Sequence, residues 1–156
     1  MLLQAIQAHN QGNLEEAVMI YSKILEAVSP EEKNIIAVIR KHRGMAYFAM
    51  NKLDSALNDF EISRDNDPKA FRIYYYIGLV CSIKKDYIQA IENFTQSLNL
   101  NQFQSHTHFR RAMAYYEVQE YEKSMADLNS ALNLGLKPQE CQTLQEKLVN
   151  KLGLSM

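Results

Sequence analysis

Leu53-Asp54-Ser55-Ala56-Leu57-Asn58-Asp59-Phe60 returns as Tyr87-Ile88-Gln89-Ala90-Ile91-Glu92-Asn93-Phe94 and again as Tyr121-Glu122-Lys123-Ser124-Met125-Ala126-Asp127-Leu128, with an earlier copy from Leu14 to Tyr21. In each copy a small residue (Ala17, Ala56, Ala90, Ser124) is followed four places later by a large one (Tyr21, Phe60, Phe94, Leu128). The copies lie 39, 34 and 34 residues apart, a 34-residue period with five extra residues in its first interval. A fixed period in this range is the mark of a repeat architecture.

Upstream, a second small residue keeps the same beat at Ala5, Gly44, Gly78 and Ala112, followed three places later by Ala8, Tyr47, Cys81 and Tyr115. Two helices per repeat account for both series. Small residues at fixed places let helix backbones approach, and the large residue one turn on fills the gap. A single pair leaves an apolar face wet, so the pairs must stack.

The spacing predicts helices over 2–11, 14–28, 31–50, 53–66, 69–84, 87–100, 104–117, 121–134 and 139–151. Ser29-Pro30-Glu31-Glu32 reads as a capping box and Asp67-Pro68 as an N-cap with proline in the first turn, which sets the starts at 31 and 69. Gly12 and Gly135 supply helix stops. The expected organisation is one domain over 1–156, with repeats at 1–31, 32–70, 71–104 and 105–137. Residues 138–152 carry Leu144, Leu148, Val149 and Leu152 at helical spacing and read as a terminal capping helix.

Other function classes are disfavoured. The chain has 156 residues, 47% of them hydrophobic and 22% charged, with a net charge of −1, so no global field draws nucleic acid or an anionic membrane. The one dense basic run, Arg40-Lys41-His42-Arg43, splays around a helix and reads as a solvated face. His106 and His108 point apart on a helix and no ligand set completes a metal site. No phosphate loop, nucleophile elbow or paired catalytic carboxylates occur, so neither catalysis nor a cofactor is expected. Cys81 and Cys141 fit no redox or zinc spacing and read as buried structural thiols. With no export signal and no apolar run of spanning length, an intracellular, cytoplasmic chain is the expectation.

The period, the small residues and the Tyr/Phe places resemble the tetratricopeptide repeat family over essentially the whole chain, most closely from Gly44 to Pro68 and from Gly78 to Leu100. That resemblance implies an all-α superhelical solenoid of about four helix-turn-helix repeats with a concave protein-binding groove, hence an adaptor or scaffold. The closing proline of the family pattern stands only at Pro68, with Gln102 and Leu136 at the later places. A homo-oligomerising assembly protein, or a regulatory segment of a larger enzyme, are the other roles the resemblance allows.

On each first helix the stripe lining the family's groove falls on Leu2, Ile6 and His9, on Lys41, Met45 and Phe48, on Tyr75, Leu79 and Ser82, and on Phe109, Met113 and Tyr116, with Val38, His42, Arg72, Tyr76, His106 and Arg110 beside it. Aromatic, Met and Arg side chains are the composition of interface hot spots. Heat-shock cochaperones of the family grip a terminal carboxylate with Lys, Asn, Asn, Lys and Arg. The matching places here hold Lys41, Met45, Tyr76, His106 and Arg110, so both asparagines are gone. The expected guest is instead an apolar or aromatic-rich protein segment with an acidic group near Lys41, Arg72 or Arg110.

Overall fold

The structure is a computed structural model that describes residues 1–154. Its described residues form α1 (Leu2–Asn10), α2 (Leu14–Ala27), α3 (Lys33–Ala49), α4 (Leu53–Asn66), α5 (Phe71–Ile83), α6 (Tyr87–Leu100), α7 (Ser105–Glu117), α8 (Tyr121–Asn133) and α9 (Pro138–Leu152), with no strand among them. The fold of the described residues is all-α. Two compact units divide it, residues 1–73 and residues 74 onward.

In the first unit α1 packs on α2, α2 on α3 and α3 on α4. In the second, α6 packs on α7, α7 on α8, and α9 against both α7 and α8. The small and large residues of the repeat are the contacts. Ala17, Ala56, Ala90 and Ser124 are buried, as are Tyr21, Phe60, Phe94 and Leu128. Ser124 can replace alanine in that dry place because its hydroxyl donates to the Ala112 carbonyl at 2.6 Å. Gly44 lies under Phe60 and Gly78 under Phe94 so closely that a Cβ there would sit 2.6 Å and 2.5 Å from ring carbons. Each buried phenylalanine contributes up to about 3 kcal/mol of transfer free energy.

The link inside every repeat is the same left-handed turn. Gly12, Asn51, Lys85 and Gln119 have φ of 82°, 59°, 63° and 65°. In each case the next residue's N–H bonds back five places, from Asn13 to Ala8, Lys52 to Tyr47, Asp86 to Cys81 and Glu120 to Tyr115. That is a Schellman closure, and three of its four left-handed places hold side chains that disfavour the conformation. Lys85→Gly and Gln119→Gly are each expected to raise stability by about 0.5–1 kcal/mol, read as an upward shift of the thermal midpoint.

Helices α3 and α5 begin at Lys33 and Phe71, two residues later than the prolines suggested. Pro30 and Pro68 occupy separate turns, closed by the Glu32 N–H on the Ser29 carbonyl at 3.0 Å and the Ala70 N–H on the Asp67 carbonyl at 3.4 Å. The Glu32 carboxylate accepts from the Ser29 N–H at 3.0 Å, as a capping box does, but Glu32 itself is non-helical at ψ 61°. The turn therefore does not merge with the helix behind it. Before α7, where the proline is missing, Gln104 closes the link instead. Its amide nitrogen donates to the carbonyls of Ser97 and Asn101, and its oxygen accepts from the Thr107 hydroxyl at 2.9 Å.

Cys141, Leu144 and Leu148 of α9 are buried with Ala112, Leu128, Ala131 and Leu136. Val149 and Leu152, expected on that face, stay partly exposed, because the line through 141, 144 and 148 is the one that meets α7 and α8.

Candidate partner-binding site

Charge is distributed on a period of two repeats. Asp59 on α4 is 1% exposed and receives three arginine bonds. Arg43 donates from Nε to Oδ2 and from Nη2 to Oδ1, both at 2.8 Å, and Arg40 donates from Nη1 to Oδ1 at 2.9 Å. Arg43 Nη1 also donates to the Ser22 hydroxyl of α2 at 2.9 Å. Sixty-eight residues on, the arrangement recurs: Arg111 forks onto Asp127 at 2.7 and 2.8 Å and donates to the Thr95 hydroxyl at 3.1 Å, while His108 Nδ1 lies 3.3 Å from Asp127. The hydrogen bonds it donates to Asp59 raise the Arg43 guanidinium above its ordinary range. For Arg111 burial works against the charged form, and the bonds and charge of Asp127 more than offset it. The guanidinia of Arg43 and Arg111 lie 5.7 and 5.6 Å over the rings of Tyr47 and Tyr115.

The basic run 40–43 is therefore not a solvated face. Arg40 and Arg43 turn inward onto Asp59, a partner nineteen or sixteen residues away that no local pattern announces. His42 lies against Tyr21, their rings 6.1 Å apart and 16° from parallel. Burial, Lys41 and His9 push the His42 imidazole below its ordinary value. A depressed histidine stabilises the fold above the unfolded value, near 6.5, and that contribution is lost as pH falls through the lower folded value. The urea midpoint is thus expected to fall between pH 7.5 and pH 5, and His42→Gln to remove part of that fall.

In the first unit Lys41 borders a small hollow of about 40 Å³ with Val38, Ser63 and Asp67. Met45 and Phe48 are half-buried, and exposed Arg72 lies over the Phe71 ring at 5.7 Å. In the second unit Tyr75 meets Tyr76 at 5.7 Å and Phe94 at 6.0 Å between ring centres, which ties it partly to the core. Leu79 is half-buried and His106 exposed.

Four of the candidate residues come together. Phe109, Arg110, Met113 and Tyr116 line one cleft of about 300 Å³, closed on the far side by Glu140, Thr143, Leu144 and Lys147 of α9 and bordered by Glu117. Lys147 Nζ stands 5.6 Å over the Tyr116 ring. The α9 wall was not legible in the sequence, since it depends on how α9 lies against α7. Glu117 did leave a signal, seven places after Arg110 on the same face. Unlike Arg40, Arg43 and Arg111, Arg110 makes no hydrogen bond or ion pair among the described residues. Cys81 and Cys141 are buried without a disulfide, and burial pushes the Cys141 thiol up. No helix among the described residues is long and apolar enough to cross a membrane.

The tetratricopeptide repeat model matches residues 71–104, which are α5, α6 and the link to α7. Human neutrophil cytosol factor 2 is 29% identical over 109 residues, 70% of this chain, and the chain spans 18% of that protein's length. The first TPR domain of Spaghetti (RPAP3), solved bound to the HSP90 peptide SRMEEVD, superposes with a TM-score of 0.74 at 22% identity, over 77% of this chain and 95% of that one. MamA, residue 41 to the end, from Desulfovibrio magneticus RS-1, gives 0.76 at 17% identity, over 85% of this chain and 72% of that one. At those identities the two structures speak for the fold. With the repeat model on the third helix pair and the same small-against-large packing in the others, the chain carries a tetratricopeptide repeat at residues 71–104 within a fold of tetratricopeptide type.

Proposed function

We propose that this chain is a non-catalytic protein-interaction module that holds a peptide, or a segment of a partner protein, on the first-helix faces of its repeats. Lys41, Met45, Phe48 and Arg72 serve in the first unit, and Tyr75, Tyr76, Leu79, His106, Phe109, Arg110, Met113 and Tyr116 in the second. The observation that carries this reading is an uncommitted guanidinium, Arg110, beside an aromatic- and Met-lined cleft. Such a site accepts an apolar side chain and an acidic group together. The RPAP3 domain, with its acidic peptide, lends support. Met45 and Tyr76 favour a more apolar guest here than one gripped chiefly by its carboxylates.

Selection from a displayed random octapeptide library tests this. Wild-type protein is expected to enrich defined sequences, and Arg110→Glu with Met113→Glu to enrich none, while far-UV circular dichroism stays unchanged because both side chains are exposed. Equal enrichment on the variant would reject the site.

A second reading, self-association, is favoured by apolar side chains that α1 and α2 leave in solvent, Leu3 at 78% and Met19 at 52% exposure. Sedimentation decides it. A dimer that dissociates in Leu3→Glu would support it, and a monomer at every concentration would end it.

A further inference from the structure

Met113, 40% exposed, stands on a ridge between two clefts. On one side is the cleft shared with α9; on the other is one of about 220 Å³ lined by Ser82, Ile83 and Tyr87. Arg110, Met113 and Glu117 border both. Volumes of this size sit at or below the lower end for small-molecule pockets, so each suits one large side chain.

Arg110 and Glu117 are seven residues apart on α7, about 10 Å along its axis at 1.5 Å per residue. That is too far for them to pair with each other, and neither side chain makes a hydrogen bond or ion pair among the described residues. The ridge thus has a positive end and a negative end. An extended peptide lying along it rises about 3.3 Å per residue, so three steps also cover about 10 Å, and the two side chains between point to opposite sides.

Resting on the interaction-module reading, we infer that the second unit recognises an extended four-residue core of the form acidic, large apolar, large apolar, basic, read in either chain direction. The apolar pair fills the two clefts, the acidic side chain meets Arg110 and the basic one meets Glu117.

The test repeats the octapeptide selection on wild type and on Glu117→Lys, both as the full chain and checked by circular dichroism. Wild type is expected to enrich peptides with opposite charges flanking two adjacent apolar residues. Glu117→Lys is expected to lower basic residues at the flank by about fivefold, equivalent to about 1 kcal/mol, and to raise acidic ones there. Enrichment of peptides without that spacing, or identical preferences on the two proteins, would overturn the inference while leaving the interaction module standing. Enrichment of nothing on wild type would overturn both.

Discussion

Asp59→Ala is expected to cost about 3–5 kcal/mol of folding free energy. The carboxylate is buried and holds two guanidinia, of which Arg43 is the better shielded, 15% exposed against 25% for Arg40. Removing the anion leaves Arg43 with a hydroxyl partner on Ser22 and a tyrosine ring, neither of which neutralises it. Urea unfolding followed at 222 nm reads the loss. The triple variant Asp59→Leu with Arg40→Met and Arg43→Met separates charge from packing, because replacing every member of a buried ion-pair network by apolar groups is often close to neutral. A loss below about 1 kcal/mol in Asp59→Ala would show that water reaches Arg43 and that the network is not a buried one. Asp127→Ala should move in the same direction, since Arg111 repeats the fork.

The second large effect is expected at Gly78. Alanine there gains about 1 kcal/mol of helix propensity, yet its Cβ lands 2.5 Å from Phe94 Cε1 and 2.6 Å from Cδ1. Phe94 is fully buried and has Tyr75 beside it, so the ring has little room to retreat. Overpacking of this kind costs about 1–3 kcal/mol, and against the propensity gain the net result is expected to be a loss of up to about 2 kcal/mol. The fourth repeat shows the alternative solution, Ala112 against Leu128, both wholly buried. In a Phe94→Leu background the Gly78→Ala substitution is therefore expected to become neutral or stabilising. A double-mutant cycle by thermal or urea unfolding measures that coupling, and simple additivity would refute the steric account.

The clefts beside α7 are shaped by α5, α6, α7 and α9, and α7 is held in place by Arg111 on Asp127 and by the packing of Phe109 and Tyr116 on the α9 cluster. In the proposed site, a residue such as Phe109 is both cleft lining and part of the packing on α9. Variants at exposed Arg110, Met113 or Glu117 are the cleaner probes of binding.

Much of the architecture could be read before any coordinates. The 34-residue beat of small and large residues announced the helix pairs, because helix spacing turns a one-dimensional period into a repeated contact. Leu144 and Leu148 likewise announced the cap. The stripe Phe109, Met113, Tyr116 with Arg110 was legible for the same reason, being a face of one helix. The prolines misled by two residues, since Pro30 and Pro68 are equally at home in a separate turn and in a first helical turn. The left-handed places at Asn51, Lys85 and Gln119 carried no glycine to mark them.

Partnership across the chain was beyond any periodic reading. That Arg43 turns inward to Asp59 while Arg110 stays in solvent beside its neighbour Arg111 follows from which side of each helix meets the next, a matter of packing between elements. The far wall of the cleft exists only because α9 leans on α7. Local spacing could choose helices and faces; it required the assembled neighbours to choose which charges are neutralised and which remain in solvent.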